Sequence, residues 1–502
     1  MEKAALISVS DKKGVVDFAK FLQDKGYRIL STGLTGRLLK DNGVDVIFIE
    51  DYTSSKEILG GRVKTLHPLV HAGILFKRDD NEHVETVNSL GAFSIDIVVV
   101  NLYPFEETAL STDDLDKLIE NIDIGGPTLL RAAAKNYRHV LVVSDPDDYK
   151  AVMENFDKID EDFRKRMALK VFSLTSYYDG VIVDKLSENR FSFFNNSISL
   201  KILNRLRYGE NPHQEAFFAK NPLFEGLADL IQLNGKELSY NNILDIDVAY
   251  RMMLERENTM CTIIKHNTPC GVAENEDVLK AYGNALACDP VSAFGGIIGI
   301  NTTVNEELAK RIAERFYEVV VAFDYDEKAL EILKTKKNLR VIKVPKVKSE
   351  FWEIRTVVGG YLIQQNDALS EFKYEVVSKK QPTEEQLKDL EFAFFVAKFT
   401  KSNAIVYAKD GMTKAIGGGQ TSRIDSAKFA AARAKELNID LKGSVMASDG
   451  FFPFRDSVDF AAGLGVEAIV EPGGSIRDKE SIEAADEHDV ALIFTHTRHF
   501  RH

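Results

Sequence analysis

The chain predicts an α/β protein of two domains. Three observations carry that prediction. At 502 residues it exceeds what one hydrophobic core organises. Over residues 4–145 short apolar runs alternate with stretches of helical periodicity, which implies a parallel sheet covered on both faces. After about residue 200 the style changes to Gly-rich connections and more Phe, which predicts a second, mixed α/β region with room for two similar subdomains.

In the first region Ala4–Val9, Arg28–Ser31, Val46–Ile49, Ile95–Asn101 and Val140–Ser144 read as strands. Val15, Phe18, Ala19 and Leu22 recur at helical spacing between the first two. Residues 146–190 read mostly as helix, in Val152–Phe156 and Phe163–Tyr178. The polar stretch Ser192–Ser197, with Asn195 and Asn196, is the linker candidate and divides the chain into domains 1–195 and 196–502. Beyond it Thr262–Ile264, Gly295–Ile300, Ala404–Tyr407, Ala468–Val470 and Val490–Phe494 read as strands. The Lys/Glu-rich stretch Asp326–Glu350 reads as a solvated surface excursion.

Composition narrows the function classes. Apolar residues make up 44% and charged residues 28%, as in soluble globular proteins. A net charge of −13 argues against nonspecific nucleic-acid binding and against an anionic membrane surface, though a local basic pocket could still hold an anionic substrate. Three cysteines, Cys261, Cys270 and Cys288, make no disulfide framework and point to a reducing compartment. The start runs straight into a strand pattern without a basic, then apolar, leader, and no run approaches the ~18 apolar residues of a membrane span. The expectation is a cytoplasmic protein.

In the first domain Ser8-Val9-Ser10-Asp11-Lys12 and Ser31-Thr32-Gly33-Leu34-Thr35-Gly36 each follow a strand and open a helix. Hydroxyls, Gly and free N–H groups at helix N-termini suit a phosphate, although Ser/Thr caps are also common there. Gly60-Gly61-Arg62-Val63-Lys64-Thr65-Leu66-His67-Pro68 sets two cations and a hydroxyl behind a Gly pair. Asn101-Leu102-Tyr103-Pro104-Phe105 ends an apolar strand with an amide and a phenol. Asp123-Ile124-Gly125-Gly126-Pro127-Thr128 precedes a helix holding Arg131 and Lys135. Lys64, Tyr103, Asp123 and Lys135 near strand ends suggest proton transfer around a carbonyl. The plainer alternatives are a turn-forming Asp123, a core Tyr103 and a surface Lys135.

In the second domain Lys265-His266 ends the run Thr262–Ile264, with Pro269 and Gly271 expected to make the turn. The pair sets a base that titrates near neutrality beside a cation at the mouth of a sheet. The competing reading is a capped strand end with a solvated Lys. Arg207 could clamp a phosphate and Tyr208 could stack on a heterocycle. Asn242 and Asp245 could read amide and amine groups. The Gly295-Gly296 pair permits close backbone approach. Lys401-Ser402-Asn403 precedes a strand, and Gly417-Gly418-Gly419-Gln420-Thr421-Ser422-Arg423 leads into an Ala-rich helix but lacks the Lys-Ser/Thr ending of a P-loop. In Phe451-Phe452-Pro453-Phe454, Phe452 could carry a flat heterocycle, with core packing the expectation for two of the three rings. Pro269-Cys270 has no following Cys-x-x-Cys partner and no His-x-Glu, so a zinc deaminase site finds no support. The ending Arg498-His499-Phe500-Arg501-His502 reads as a solvated tail unless the strand before it docks it on the core.

Taken together these segments resemble the bifunctional family that joins AICAR transformylase to IMP cyclohydrolase, in its bacterial branch. The resemblance spans nearly the whole chain and rests on the motifs quoted above, in one order. It implies a methylglyoxal-synthase-like N-terminal domain and a C-terminal transformylase domain with zinc-free, cytidine-deaminase-like subdomains. It implies formyl transfer from 10-formyltetrahydrofolate to the 5-amino group of AICAR, then dehydrative closure of formyl-AICAR to IMP. By the resemblance His266 takes the amine proton, Lys265 assists, and Asn403 holds the formyl oxygen or the amine. Arg207, Tyr208, Asn242, Gly295, Arg423, Phe452 and Arg498 contact substrate. For cyclisation Ser10, Lys12, Ser31, Thr32, Gly33 and Thr35 cradle the phosphate, with Arg62, Thr65 and Asn101 beside them. Lys64, Tyr103, Asp123 and Lys135 serve ring closure. The resemblance further implies a homodimer with shared transferase sites, no catalytic metal, and room for a structural monovalent cation. The rival readings are a noncatalytic sensor of phosphorylated purine intermediates and a zinc nucleobase deaminase.

Overall fold

The computed structural model describes residues 1–187, 197–348, 350–368 and 371–502. Residues 192–196 of the expected linker lie outside the described residues. The chain forms two compact units, Met1–Lys201 with Lys220–Phe224, and Ile202–Ala219 with Glu225–His502.

The first unit holds five parallel strands, β1 (Lys3–Ser8), β2 (Arg28–Ser31), β3 (Val46–Phe48), β4 (Ser94–Val100) and β5 (Leu141–Val143), in the order β3-β2-β1-β4-β5. Each lies within a residue or so of its expected place, because these runs are apolar on both faces and both faces are covered. The helix Val15–Asp24 buries Val15, Phe18, Ala19 and Leu22 against the sheet. It begins three residues beyond Lys12, after a left-handed Gly14, so Ser8–Lys12 forms a loop of its own and does not open the helix. The strand order reverses at β1, whose neighbours are β2 and β4. The loops leaving β1, β2 and β4 therefore surround a crevice at their carboxyl ends.

A two-stranded sheet follows, β6 (Lys201–Leu206) with β7 (Ala216–Lys220). The second unit is built on β8 (Ile231–Asn234), β9 (Met260–Lys265), β10 (Thr268–Glu274), β11 (Ile297–Val304), β12 (Val319–Tyr325) and β13 (Arg340–Lys343), the separate hairpin β14 (Trp352–Val357) and β15 (Gly360–Gln365), then β16 (Glu375–Val376), β17 (Ile405–Lys409), β18 (Met412–Gly417), β19 (Val445–Ser448), β20 (Ala468–Glu471) and β21 (Ala491–Phe494). All but the separate hairpin join one 12-stranded sheet in the order β16-β21-β20-β19-β17-β18-β10-β9-β11-β12-β13-β8.

That order reads the same from both ends. A 16-residue helix, an antiparallel hairpin and three parallel strands alternating with helices occur once from Tyr240 to Lys343 and again from Glu384 to Phe494. The halves meet where β10 pairs with β18, through Ala273 and Met412. There the Thr413 hydroxyl bonds both the N–H and the C=O of Val272. One face of the sheet carries a core drawn from both halves, including Ile246, Met252, Phe395 and Ile493. The other face carries a separate core in each half.

Two expectations are corrected, and the alternatives left open for the C-terminus are decided for docking. Residues 326–344 are no surface excursion, since they supply the helix Glu327–Lys334, which buries Ala329 and Leu333, and the sheet strand β13 with Val341 and Ile342 fully enclosed. Pro269 and Gly271 do not form a turn but lie within β10. A Cβ on Gly271 would stand 2.0 Å from the Ala285 carbonyl oxygen, so this glycine serves close helix–strand packing. The C-terminal residues are not a solvated tail. His499 is 4% exposed and its ring bonds Asp367 at 2.7 Å, and the Arg501 guanidinium donates to the carbonyls of Phe399 and Asn267. Among the described residues no helix is long and apolar enough to cross a membrane.

Candidate active sites

The first unit has a cleft of about 640 Å³ at the reversal point of its sheet. Ser10, Lys12, Thr32, Gly33, Thr35, Arg62, Lys64, Thr65, Asn101, Tyr103 and Asp123 line it. Asn101, at the end of β4, pins the loop after β1 by accepting the N–H groups of Ser10 at 2.5 Å and Asp11 at 3.0 Å, and returns a bond to the Asp11 carbonyl. Thr35 both accepts the Val9 N–H and donates to the Val9 carbonyl. Ser31 is fully buried and donates to Ile7. The hydroxyls of Ser31 and Thr35 thus hold the cradle together; Thr35 also lines the cleft, and Ser31 does not. Thr32 remains at the N-cap of the helix Gly33–Asp41, its hydroxyl 2.9 Å from that of Ser8.

Lys12 donates to the carbonyls of Val9 and Ser10, and burial lowers its pKa against the pull of Asp11. Lys64 is 3.1 Å from Glu57. A Cβ on left-handed Gly61 would stand 2.9 Å from the Lys64 side chain, so the Gly pair makes room for that cation. Asp123 sits just before the helix Gly125–Lys135, where it accepts the Gly126 N–H at 2.8 Å while its own amide donates to Tyr178. Burial raises the Asp123 pKa, and those amide bonds only partly oppose it. Lys135 is the exception in the set. It is exposed at the far end of the same helix, about 15 Å along its axis, and does not line the cleft.

The second unit has a cavity of about 820 Å³, lined by Arg207, Tyr208, Asn242, Asp245, Lys265, His266, Asn267, Gly295, Glu318 and Arg340 among others. Lys265 closes β9, and Thr268, its partner in register, opens β10. The two residues between them, His266 (φ 53°) and Asn267 (φ 64°), are both left-handed, as a type I′ hairpin turn demands. The turn lifts the imidazole out of the sheet and leaves it exposed at the cavity wall. The Lys265 ammonium donates to the carbonyls of Phe294 and Gly295. A Cβ on Gly295 would come within 3.2 Å of that ammonium, which explains the glycine. Asn242 donates to Glu318 at 2.8 Å, and the Arg207 guanidinium stands 5.1 Å from the centre of the Tyr208 ring. Asp245 does not present a free carboxylate to an amine, because it accepts the Asn267 amide at 2.6 Å.

Sequence reasoning missed Glu318 and Arg340. Both stand at the start of strands, where no motif marks them. Asn403, Arg423, Phe452 and Arg498 do not line this cavity. They lie in the helix and connections of the unit's second half. Asn403 bonds Gln420 and Ser426. Arg423 is engaged by Asp449, Ser448 and Gly450, and the Arg423 and Arg498 guanidinia both stand over the Phe500 ring. Phe452 is fully buried in the core and offers no face to a heterocycle, whereas Phe451 and Phe454 are 37% and 49% exposed. Cys261, Cys270 and Cys288 are unbridged, and no group of three or more His, Cys, Asp or Glu placed to hold a metal occurs among the described residues.

Fold and clefts together define a two-site α/β enzyme, with cations, amides and a buried carboxyl grouped around two cavities. The family described as "AICARFT/IMPCHase bienzyme" matches residues 133–433, and the MGS-like domain family matches residues 14–128. A protein named bifunctional purine biosynthesis protein PurH in Persephonella marina is 48% identical over the full length of both chains. Its namesake in Caldicellulosiruptor bescii is 49% identical over the full length of both, and that of Aquifex aeolicus is 50% identical over 99% of this chain and all of the relative. The chain belongs to the AICARFT/IMPCHase bienzyme family. It is a bifunctional formyltransferase and IMP cyclohydrolase acting in the last two steps of purine biosynthesis.

Proposed function

We propose that the two cavities divide these steps, with the transferase in the second unit and the cyclohydrolase in the first, the domains meeting near residue 195. The observation that carries the reading is the I′ turn that sets His266 beside Lys265 on the wall of the 820 Å³ cavity, within one lining with Arg207, Asn242 and Glu318. The AICAR 5-amino nitrogen attacks the formyl carbon of 10-formyltetrahydrofolate. Its proton passes to His266, the carbon–N10 bond breaks, and N10 regains a proton, with Lys265 stabilising the charge that develops. The amine is a poor nucleophile, so positioning by Arg207 at the phosphate and Tyr208 at the base supplies much of the acceleration.

Cyclisation joins the carboxamide nitrogen to the formyl carbon and expels water. Ser10, Lys12, Thr32 and Gly33 receive the phosphate. Lys64 and Tyr103 face the closing ring, and Asp123, whose burial favours its protonated form, delivers the proton to the departing hydroxyl. Asn403, Arg423 and Arg498 fit a homodimer in which the second copy completes the transferase site. The cytidine-deaminase-like character of the repeated halves, a cytoplasmic location and a structural monovalent cation belong to the same reading.

Reciprocal variants test it. His266→Ala lowers transferase turnover by roughly 10²- to 10⁴-fold and leaves cyclisation of supplied formyl-AICAR intact, while Lys64→Ala does the reverse. Near-normal formyl transfer by His266→Ala, or equal loss of both activities in either variant, overturns the assignment.

A further inference from the structure

The two halves of the large sheet support their hairpins with the same device. The helices Tyr240–Glu255 and Glu384–Phe399 each open on a reciprocal cap, Ser239 with Asn242 and Thr383 with Gln386. Each carries an aspartate at its sixth position. Asp389 accepts the amides of Asp410 and Gly411, the two turn residues between β17 and β18, at 2.9 and 2.8 Å. Asp245 accepts the Asn267 amide at 2.6 Å, and the His266 amide draws on the same carboxylate. The ladder leaves these turn amides unpaired, and a carboxylate beneath them satisfies them. In the second half the carboxylate clamps the turn, with Lys414 as the cation near it. In the first half the same carboxylate also lines the cavity and stands near the charges of His266 and Lys265.

We propose that Asp245 is a positioning residue for His266: it fixes the left-handed turn that aims the imidazole and sets a carboxylate beside it. The proposal rests on the reading of His266 as the base that takes the amine proton. The cavity and turn carry the cations Lys265, Arg207, Lys236, Arg340 and Arg501, and the carboxylates Glu210, Glu237 and Glu318 besides Asp245. Glu318 is bonded to Asn242 and paired with Arg340, whereas Asp245 is bonded to the turn itself. Burial pushes the Asp245 carboxyl up, while the turn amides, His266 and Lys265 pull it down.

The test compares Asp245→Asn with Asp389→Asn in the full chain. Asn keeps one acceptor beneath the turn and removes the charge, so both variants bear the same structural burden. In Asp245→Asn the acidic limb of the transferase kcat/KM profile moves to lower pH by about one unit and its plateau falls about tenfold. In Asp389→Asn limb and plateau stay put, and cyclisation is unchanged in both. A limb that does not move in Asp245→Asn, or moves equally in Asp389→Asn, overturns the proposal. Should Asp245→Asn not fold, Asp245→Glu replaces it. That variant retains the charge, so its limb stays at the wild-type pH while kcat falls, and a shifted limb overturns the proposal. Persistent turnover in His266→Ala would instead sink the underlying reading, so the two failures are distinguishable.

Discussion

The turns His266-Asn267 and Asp410-Gly411 share length, left-handed backbone and a supporting aspartate, yet differ in what they carry. Asp-Gly is a sequence this turn prefers, because Gly takes positive φ without penalty. His-Asn lacks the glycine, so both of its residues take positive φ with a Cβ. The half that lines the cavity accepts a poorer turn and gains an imidazole. The half that only closes a hairpin keeps the favoured one. The difference teaches that a scaffold present twice exposes its functional copy by the places where local preference is violated.

The largest test concerns a second departure between the halves. Glu471 is the fourth residue of β20, where β12 has Ala322. It is fully buried, accepts the Phe452 amide through Oε2, and leaves Oε1 without a partner among the described residues. Burial pushes its pKa up to about 8, against an ordinary carboxyl value of 4.5. The native state therefore keeps a proton that the unfolded chain releases. Stability is complete below about pH 4.5 and drains as pH rises to 8, by on the order of 5 kcal/mol. Glu471→Gln removes the titration, so its Tm advantage over the wild type widens from pH 5 to pH 9. A constant difference across that range would show Glu471 to be ionised throughout.

Next in size is the seam. Thr413→Val keeps the shape and strips both amide groups of Val272 of their partner, at a cost of roughly 1–3 kcal/mol in chemical denaturation. A negligible loss would mean that the shared core alone holds the halves together. The smallest test returns to the turns. Gly411→Ala should cost about 1 kcal/mol, since a Cβ there meets the Glu274 carbonyl at 3.3 Å, and Gly411→Asn should cost less because Asn tolerates the left-handed region. Equal costs would remove backbone handedness as what separates the turns.

Much of the first unit was legible because its strands are buried on both faces and its phosphate-loop candidates fall directly after them, at the reversal of strand order. The second unit was harder. Lys265 and His266 were visible as a strand end, but Pro269 and Gly271 masked the real turn, since glycine's need for close packing against Ala285 looks like turn chemistry in one dimension. The repeat was only an open option, because His266-Asn267 and Asp410-Gly411 share a backbone shape and no side chain. Phe452 could not be told from Phe451 and Phe454, because strand-end aromatics become core or surface by fractions of a turn. Lys135 was grouped with Asp123 as a group near the strand ends, yet it stands at the far end of the helix that Asp123 precedes and does not line the cleft.

The packing of the 12-stranded sheet has a consequence for how damage spreads through it. A void opened in the private core of one half, at Leu308 for instance, meets only that half's side chains, and its cost sums with that of a void at Val458 in the other. A void at Phe395 lies in the common layer, where both halves lean on the same atoms, so its cost is not separable from substitutions on either side. Evolution can thus revise either flank alone, while the common layer ties the fates of both.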